Sequence, residues 1–145
     1  MKIINRWTAA VSILTCLLIW GCKVDSEKHE FEHPSDVEEI KGSDLSTVTL
    51  TEKAIERIGL QTTTVIEMQH SPVRKVVPYS AIIYDPKGQT WIYISPKPRT
   101  FVRYKIDVDY IEGDNVMLNE GPPVGTVVAT VGVAELYGTE FEIGH

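Results

Sequence analysis

Cysteine is nearly absent from this chain of 145 residues. The two cysteines, Cys16 and Cys22, both lie near the amino terminus. Residues 23–145 therefore carry no thiol. This excludes a disulfide, thiolate catalysis and a cysteine-based metal site from that part of the chain.

Basic residues are also scarce, because 14 Lys and Arg stand against 20 Asp and Glu and the net charge is −6. Removal of residues 1–21 as a signal peptide would delete Lys2 and Arg6 and no acidic residue. The remaining 12 basic and 20 acidic residues would then carry a net charge of −8. Nucleic acids and anionic lipid surfaces are bound by clustered Lys and Arg, so the composition argues against both as partners.

Recognisable catalytic spacing is missing as well. Ser80 and His70 do not stand in a nucleophile elbow or a metallohydrolase motif, and the glycines are spaced as turn formers with no phosphate-binding loop among them. We therefore expect a protein without enzymatic activity.

The amino terminus carries the most informative pattern in the sequence. Lys2 and Arg6 precede a nearly uncharged apolar run over residues 9–20, and Gly21-Cys22 ends it. A run of about 12 residues has the length of a signal-peptide core and is too short to span a bilayer. This pattern predicts a lipoprotein signal peptide over residues 1–21, with Cys22 as the lipidated first residue of the mature chain. Trp20 is bulky for such a site, and an uncleaved signal anchor or a plain secretory signal is the alternative.

Residues 22–46 are predicted to be a flexible, disordered tether. The segment is acidic and has hardly any large apolar residue, so burial cannot offset its conformational entropy. With the lipid on Cys22, we expect a periplasm-facing domain in the cell envelope, attached to a membrane through its anchor.

Residues 47–145 are predicted to form the folded domain. Thr51 is the expected N-cap of a short helix over Glu52–Ile58, with Gly59 as a left-handed C-cap. The expected strands are 60–68, 73–77, 80–84, 91–94, 102–110, 116–118 and 126–133, and residues 85–88 provide a hairpin turn. The fold class is therefore all-β, a small antiparallel barrel or sandwich with one short helix.

The clearest strand is the one over residues 102–110, where apolar and charged residues alternate. The expected interior positions are Val102, Tyr104, Ile106, Val108 and Tyr110, and the expected solvent-facing positions are Arg103, Lys105, Asp107 and Asp109.

Several motifs stand in an order that resembles one known family. They are VPYSAII at 77–83, GQTWIYI at 88–94, GPPVGTVV at 121–128 and the segment from Thr49 to Thr62. They are similar to the membrane-proximal domain of the periplasmic adaptor subunits, or membrane fusion proteins, of resistance-nodulation-division (RND) efflux pumps, particularly the heavy-metal branch. The resemblance implies a role in transmembrane export and, as partner, an inner-membrane RND transporter or an adaptor subunit.

The chain departs from that family in one respect. A full adaptor carries a helical hairpin, a lipoyl-like domain and a β-barrel domain between the two flanks of this domain, whereas here the flanks meet near residues 69–72. No heptad repeat is present either. We therefore expect a membrane-proximal domain made as a lipoprotein, which docks on a pump component.

A metal-binding tail is the second hypothesis. His29 and His33 stand four residues apart with Glu30 and Glu32 between them, and imidazole and carboxylate ligands suit Zn(II) or Cu ions. The same residues also fit a merely solvated segment. On this hypothesis the protein would buffer or deliver metal ions in the periplasm.

The lipoprotein hypothesis predicts that Cys22→Ser protein loses lipid labelling. Without the thiol no thioether can form, so the variant should accumulate as uncleaved precursor or as soluble material. Metabolic labelling with a palmitate analogue and membrane fractionation measure this. Unchanged labelling and fractionation would contradict the assignment of Cys22 as the anchor.

Overall fold

The computed structural model describes residues 33–69 and 72–141. The predicted signal peptide and the predicted sites at Cys22, His29, Glu30 and Glu32 lie outside these residues. The elements in chain order are β1 (Ser35–Glu39), β2 (Ser46–Leu50), α1 (Glu52–Ile58), β3 (Gln61–Thr64), β4 (Ile66–Met68), β5 (Arg74–Pro78), a 3-10 helix (Tyr79–Ala81), β6 (Ile83–Tyr84), β7 (Thr90–Lys97), β8 (Thr100–Lys105), β9 (Asp107–Glu112), β10 (Asn115–Glu120), β11 (Val127–Val131) and α2 (Val133–Glu140).

The strands form two antiparallel sheets. The larger sheet has the order β1-β2-β8-β7-β11-β3, with β6 paired to the start of β7, and the smaller sheet has the order β4-β5-β10-β9. This confirms the predicted small antiparallel all-β class. The sheets make a sandwich and do not close into a barrel over the described residues.

The larger sheet is apolar on both faces. One face packs on the two helices through Tyr93 of β7 and Ala129 of β11, and the other packs on the smaller sheet through their neighbours Ile92 and Val128. Successive strand side chains point to opposite faces, so a strand covered on both sides is apolar at consecutive positions. The domain therefore has three layers: helices, larger sheet and smaller sheet.

Helix α1 has the predicted bounds and caps. The Thr51 hydroxyl accepts a hydrogen bond from the Ala54 amide at 3.2 Å, and Gly59 adopts a left-handed conformation with φ of 62°. Local sequence sets both ends because each cap satisfies orphan backbone groups of the helix.

The predicted tether over residues 22–46 is wrong for residues 35–46, about half of its length. β1 pairs with β2 from Ser35 opposite Leu50 to Glu39 opposite Ser46, and Val37 packs against the core. The side chains of β1 bury little apolar surface, so the backbone hydrogen bonds to β2 are what order this segment. The acidic side chains of β1 are tolerated because an edge strand leaves them in solvent.

The predicted last strand over 126–133 ends earlier, and a second helix follows it. Gly132 has φ of 82° and turns the chain out of β11 into α2, which was not predicted. A Cβ at Gly132 would lie 2.9 Å from the Leu60 side chain, so α2 begins in close contact with the segment after α1.

The predicted alternation over 102–110 is also wrong in part. Phe101 and Arg103 point into the core, with 2% and 6% exposure, whereas Tyr104 is 37% exposed. Ile106 is buried, as predicted, and lies between β8 and β9 where the chain leaves one sheet for the other. Of the other expected interior residues, Val102 and Val108 are half-buried and Tyr110 is exposed.

The break at Ile106 predicts a sharp contrast between two neighbouring substitutions. Ile106→Ala should lower the free energy of unfolding by about 2–5 kcal/mol, since it leaves a cavity in the buried layer. Lys105→Ala should change it by no more than about 0.5 kcal/mol because Lys105 is exposed. Urea denaturation of both variants measures the difference, and equal effects would contradict the burial of Ile106.

Candidate docking cleft at Arg103

A buried ion pair joins α2 to the larger sheet. The Arg103 Nε of β8 donates to the Glu140 Oε2 of α2 at 2.8 Å, and the two side chains are 6% and 2% exposed. The Tyr93 hydroxyl of β7 donates to the same carboxylate oxygen at 2.5 Å. Desolvated charges are tolerated only when they are paired and hydrogen-bonded, and these contacts meet that requirement.

Burial raises the pKa of the Tyr93 hydroxyl far above its usual value of 10, and the hydrogen bond to Glu140 and the charge of that carboxylate add to the effect. The hydroxyl is therefore held as a proton donor in the folded state.

Two aromatic rings contact the Arg103 guanidinium. Its carbon lies 4.6 Å from the centroid of the Trp91 ring and 4.8 Å from that of Phe141. Phe141 in turn contacts Tyr137, with ring centroids 4.7 Å apart and an interplanar angle of 48°. These two cation–π contacts hold the guanidinium in place and add to the ion pair.

The turn after β6 positions Trp91. Asp85 accepts hydrogen bonds from the Lys87 and Gln89 amides at 2.9 and 2.8 Å and from the Trp91 indole at 3.1 Å. Desolvation acts to raise the pKa of Asp85, but these hydrogen bonds outweigh it and the pKa is lowered. The carboxylate thus stays ionised and holds both the turn and the indole. The strand pairing of Ile83 with Trp91 confirms the predicted hairpin, although residues 79–81 form a 3-10 helix.

These groups surround an open cleft of about 530 Å³. We call it the Arg103 cleft. It is lined by Asp44, Leu45, Asp85, Pro86, Lys87, Gln89, Trp91, Arg103, Tyr137 and Phe141. A neighbouring hollow shares Trp91 and Arg103 and extends the surface to Tyr104 and Lys105. The cleft is apolar and aromatic within, with charges of both signs at its margin.

The sequence predicted one side of this cleft and missed the other. The turn over 85–88 was expected, whereas Tyr137 and Glu140 come from a helix that was not predicted and Phe141 directly follows it. The available signal was the helical spacing of Val133, Leu136 and Glu140, which the structure buries on one face of α2.

The predicted metal ligands are not brought together in the part of the chain that the structure describes. His33 is exposed at the edge of a shallow groove, and no cluster of three or more His, Cys, Asp or Glu able to hold a metal ion occurs among residues 33–69 and 72–141. His29, Glu30 and Glu32 precede these residues, so the metal-binding tail stays a prediction.

No helix within the described ranges is long and apolar enough to cross a membrane. No protein family, no curated protein and no solved structure matches the chain. The likeness to efflux adaptors accordingly rests on the sequence motifs.

The buried ion pair of Arg103 and Glu140 leads to a prediction about stability. Glu140→Ala should lower the free energy of unfolding by about 3–5 kcal/mol, because it leaves the Arg103 charge buried without its partner. Glu135→Ala is the matched control. Glu135 lies on the same helix but is exposed, so its loss should cost no more than about 0.5 kcal/mol. Chemical denaturation measures both, and a similar effect of the two substitutions would contradict the role given to Glu140.

The raised pKa of Tyr93 predicts a loss of stability at alkaline pH. The folded state holds this proton more tightly than the unfolded state, so the contribution is complete below pH 10, the usual pKa of Tyr, and declines as the pH rises above it. Unfolding free energies measured from pH 8 to 11 should fall more steeply for the native protein than for Tyr93→Phe. Parallel curves would contradict the prediction.

Proposed function

We propose that this protein is a lipid-anchored, non-catalytic binding module of the cell envelope. It acts in transmembrane export by docking on an RND transporter or an adaptor subunit, and the Arg103 cleft is the docking surface. The observation that carries the proposal is the concentration of aromatic residues and a buried arginine around one open cleft.

The residue types of the cleft support this function. Trp, Tyr and Arg dominate the binding energy of protein interfaces, where they line or fill pockets near the centre of the contact. Here Trp91 and Tyr137 are half-buried, and Phe141 is 45% exposed although it stacks on a buried guanidinium. An exposed ring held in place offers contact area at a small entropic cost on binding.

The rigidity of the surface also favours binding. The Glu140 carboxylate fixes Arg103, and Asp85 fixes Trp91. Because both anchors are hydrogen-bonded before a partner arrives, little order has to be imposed during association.

The charges at the cleft margin indicate a protein partner of mixed polarity. Asp44 and Lys87 are exposed at the cleft, and Lys105 lies in the neighbouring hollow. Neither sign dominates, so the surface has no electrostatic preference for a polyanion. An apolar side chain of the partner, surrounded by polar contacts, fits such a site.

The expected lipid anchor and the resemblance to efflux adaptors both favour a location at a membrane surface. Lipidation at Cys22 would confine the domain to a membrane surface, and confinement raises the effective concentration of a partner in the same membrane. A contact of the modest area that a domain of this size offers then suffices.

Photo-crosslinking in cells tests the proposal. With benzoylphenylalanine in place of Lys87, at the margin of the cleft, we expect capture of an inner-membrane transporter or adaptor subunit. The same group in place of Thr62, which is exposed on edge strand β3, is the position control and should capture much less.

A variant pair sharpens this test. Phe141→Ala should reduce the capture from position 87 because it removes the exposed ring of the cleft, whereas Ile66→Ala, which shortens an exposed residue of the other sheet, should not. Absence of a specific partner at both positions, combined with stoichiometric Zn(II) or Cu binding by the native chain, would favour the metal-binding tail instead.

A further inference from the structure

Another concave surface is lined by residues of both helices. Its floor is apolar, because Leu50, Ala54 and Leu136 are 5%, 6% and 0% exposed. The volume is about 560 Å³. We call it the helix groove. It is lined by Pro34, Ser35, Leu50, Ala54, Arg57, Ile58, Ala134, Glu135, Leu136, Gly138 and Thr139.

The helix groove is short, and each helix contributes at least one small residue to its lining. With seven and eight residues, α1 and α2 are about 10–12 Å long. A helix of the average length in globular proteins, about 10–14 residues or 15–21 Å, would extend beyond such a groove. Ala54 on one helix and Ala134 and Gly138 on the other leave space for a thin, flexible apolar chain close to both backbones.

The charges at the rim do not fit a free anionic lipid. Arg57 and Glu135 are the two ionisable residues among the lining residues of the described chain, and both are exposed. They are of opposite sign, so no cluster of cations is present to hold a phosphate or carboxylate headgroup. A neutral acyl chain is the lipid component that this lining accommodates.

The number of residues between Cys22 and Pro34 would allow a lipid on Cys22 to reach the helix groove. Pro34 lines the helix groove and directly follows His33, which stands eleven residues after Cys22. Eleven residues reach at most about 36–40 Å. The lipid expected on Cys22 is therefore joined, through no more than this length of chain, to a residue that directly precedes the groove-lining Pro34.

We propose that the helix groove binds one acyl chain of the lipid on Cys22 of the same molecule. The proposal rests on the lipidation assumed in the proposed function. Bound in this way, one acyl chain holds α1 and α2 at the membrane surface while the remaining chains stay in the bilayer. The occupied groove then sets the height of the domain above the membrane. Without it, the height would be limited only by the length of residues 23–33.

Intramolecular photo-crosslinking tests this in the native lipidated protein. Cells are supplied with a palmitate analogue that carries a diazirine, and the protein is irradiated in its membrane. Mass spectrometry should locate the label on Cys22 and crosslinks from it to α1 or α2 of the same chain. Ala134→Trp fills the helix groove and should abolish these crosslinks without changing the label on Cys22.

Thr62→Trp is the matched control, since it adds the same bulk at an exposed position of β3 and should leave the crosslinks intact. Label on Cys22 with crosslinks only to phospholipid would overturn the groove proposal and leave the lipid anchor standing. Absence of label from Cys22 would overturn both. Benzoylphenylalanine in place of Glu135 gives a further check, because capture of another polypeptide there would assign the groove to a protein partner and overturn the proposal.

Discussion

The contact between Arg103 and Glu140 is the interaction on which this domain depends most. It joins the last helix to the central strands at a position where both charges are withdrawn from water. A buried charge without its partner is strongly unfavourable, so α2 must dock in the one position that places Glu140 against Arg103 and Tyr93. That position in turn shapes the Arg103 cleft and the helix groove, since residues of α2 line each of them.

The two surfaces differ in the way their shape is maintained. The Arg103 cleft is held by hydrogen bonds and by cation–π contacts of Arg103 with two rings, so its side chains are ordered in advance. The floor of the helix groove is apolar packing, formed by Leu50, Ala54 and Leu136. A prearranged polar and aromatic surface suits recognition of a defined protein, whereas an apolar trough with small walls suits a flexible hydrocarbon chain.

Several features of the fold were predictable because their causes are local. The caps of α1 need only Thr51 and Gly59, and the turn after β6 needs Asp85 and Gly88, whose φ is 75°. The site was predictable only in part for the same reason. The turn at Asp85 could be anticipated, but nothing near Arg103 in the chain indicates that Glu140 will neutralise it across 37 residues.

The sequence by itself determined the all-β class, the short first helix and the turn over residues 85–88, since these follow from periodicity and from residues with restricted or permissive backbones. Only the tertiary structure decided that Arg103 points inward, that Tyr104 points outward and that residues 35–39 form an edge strand. The physical reason is that each of these depends on a partner distant in sequence. Arg103 requires a carboxylate from α2, and β1 requires the backbone of β2. The alternation of apolar and charged residues within one strand does not reveal which distant residue or strand will be the partner.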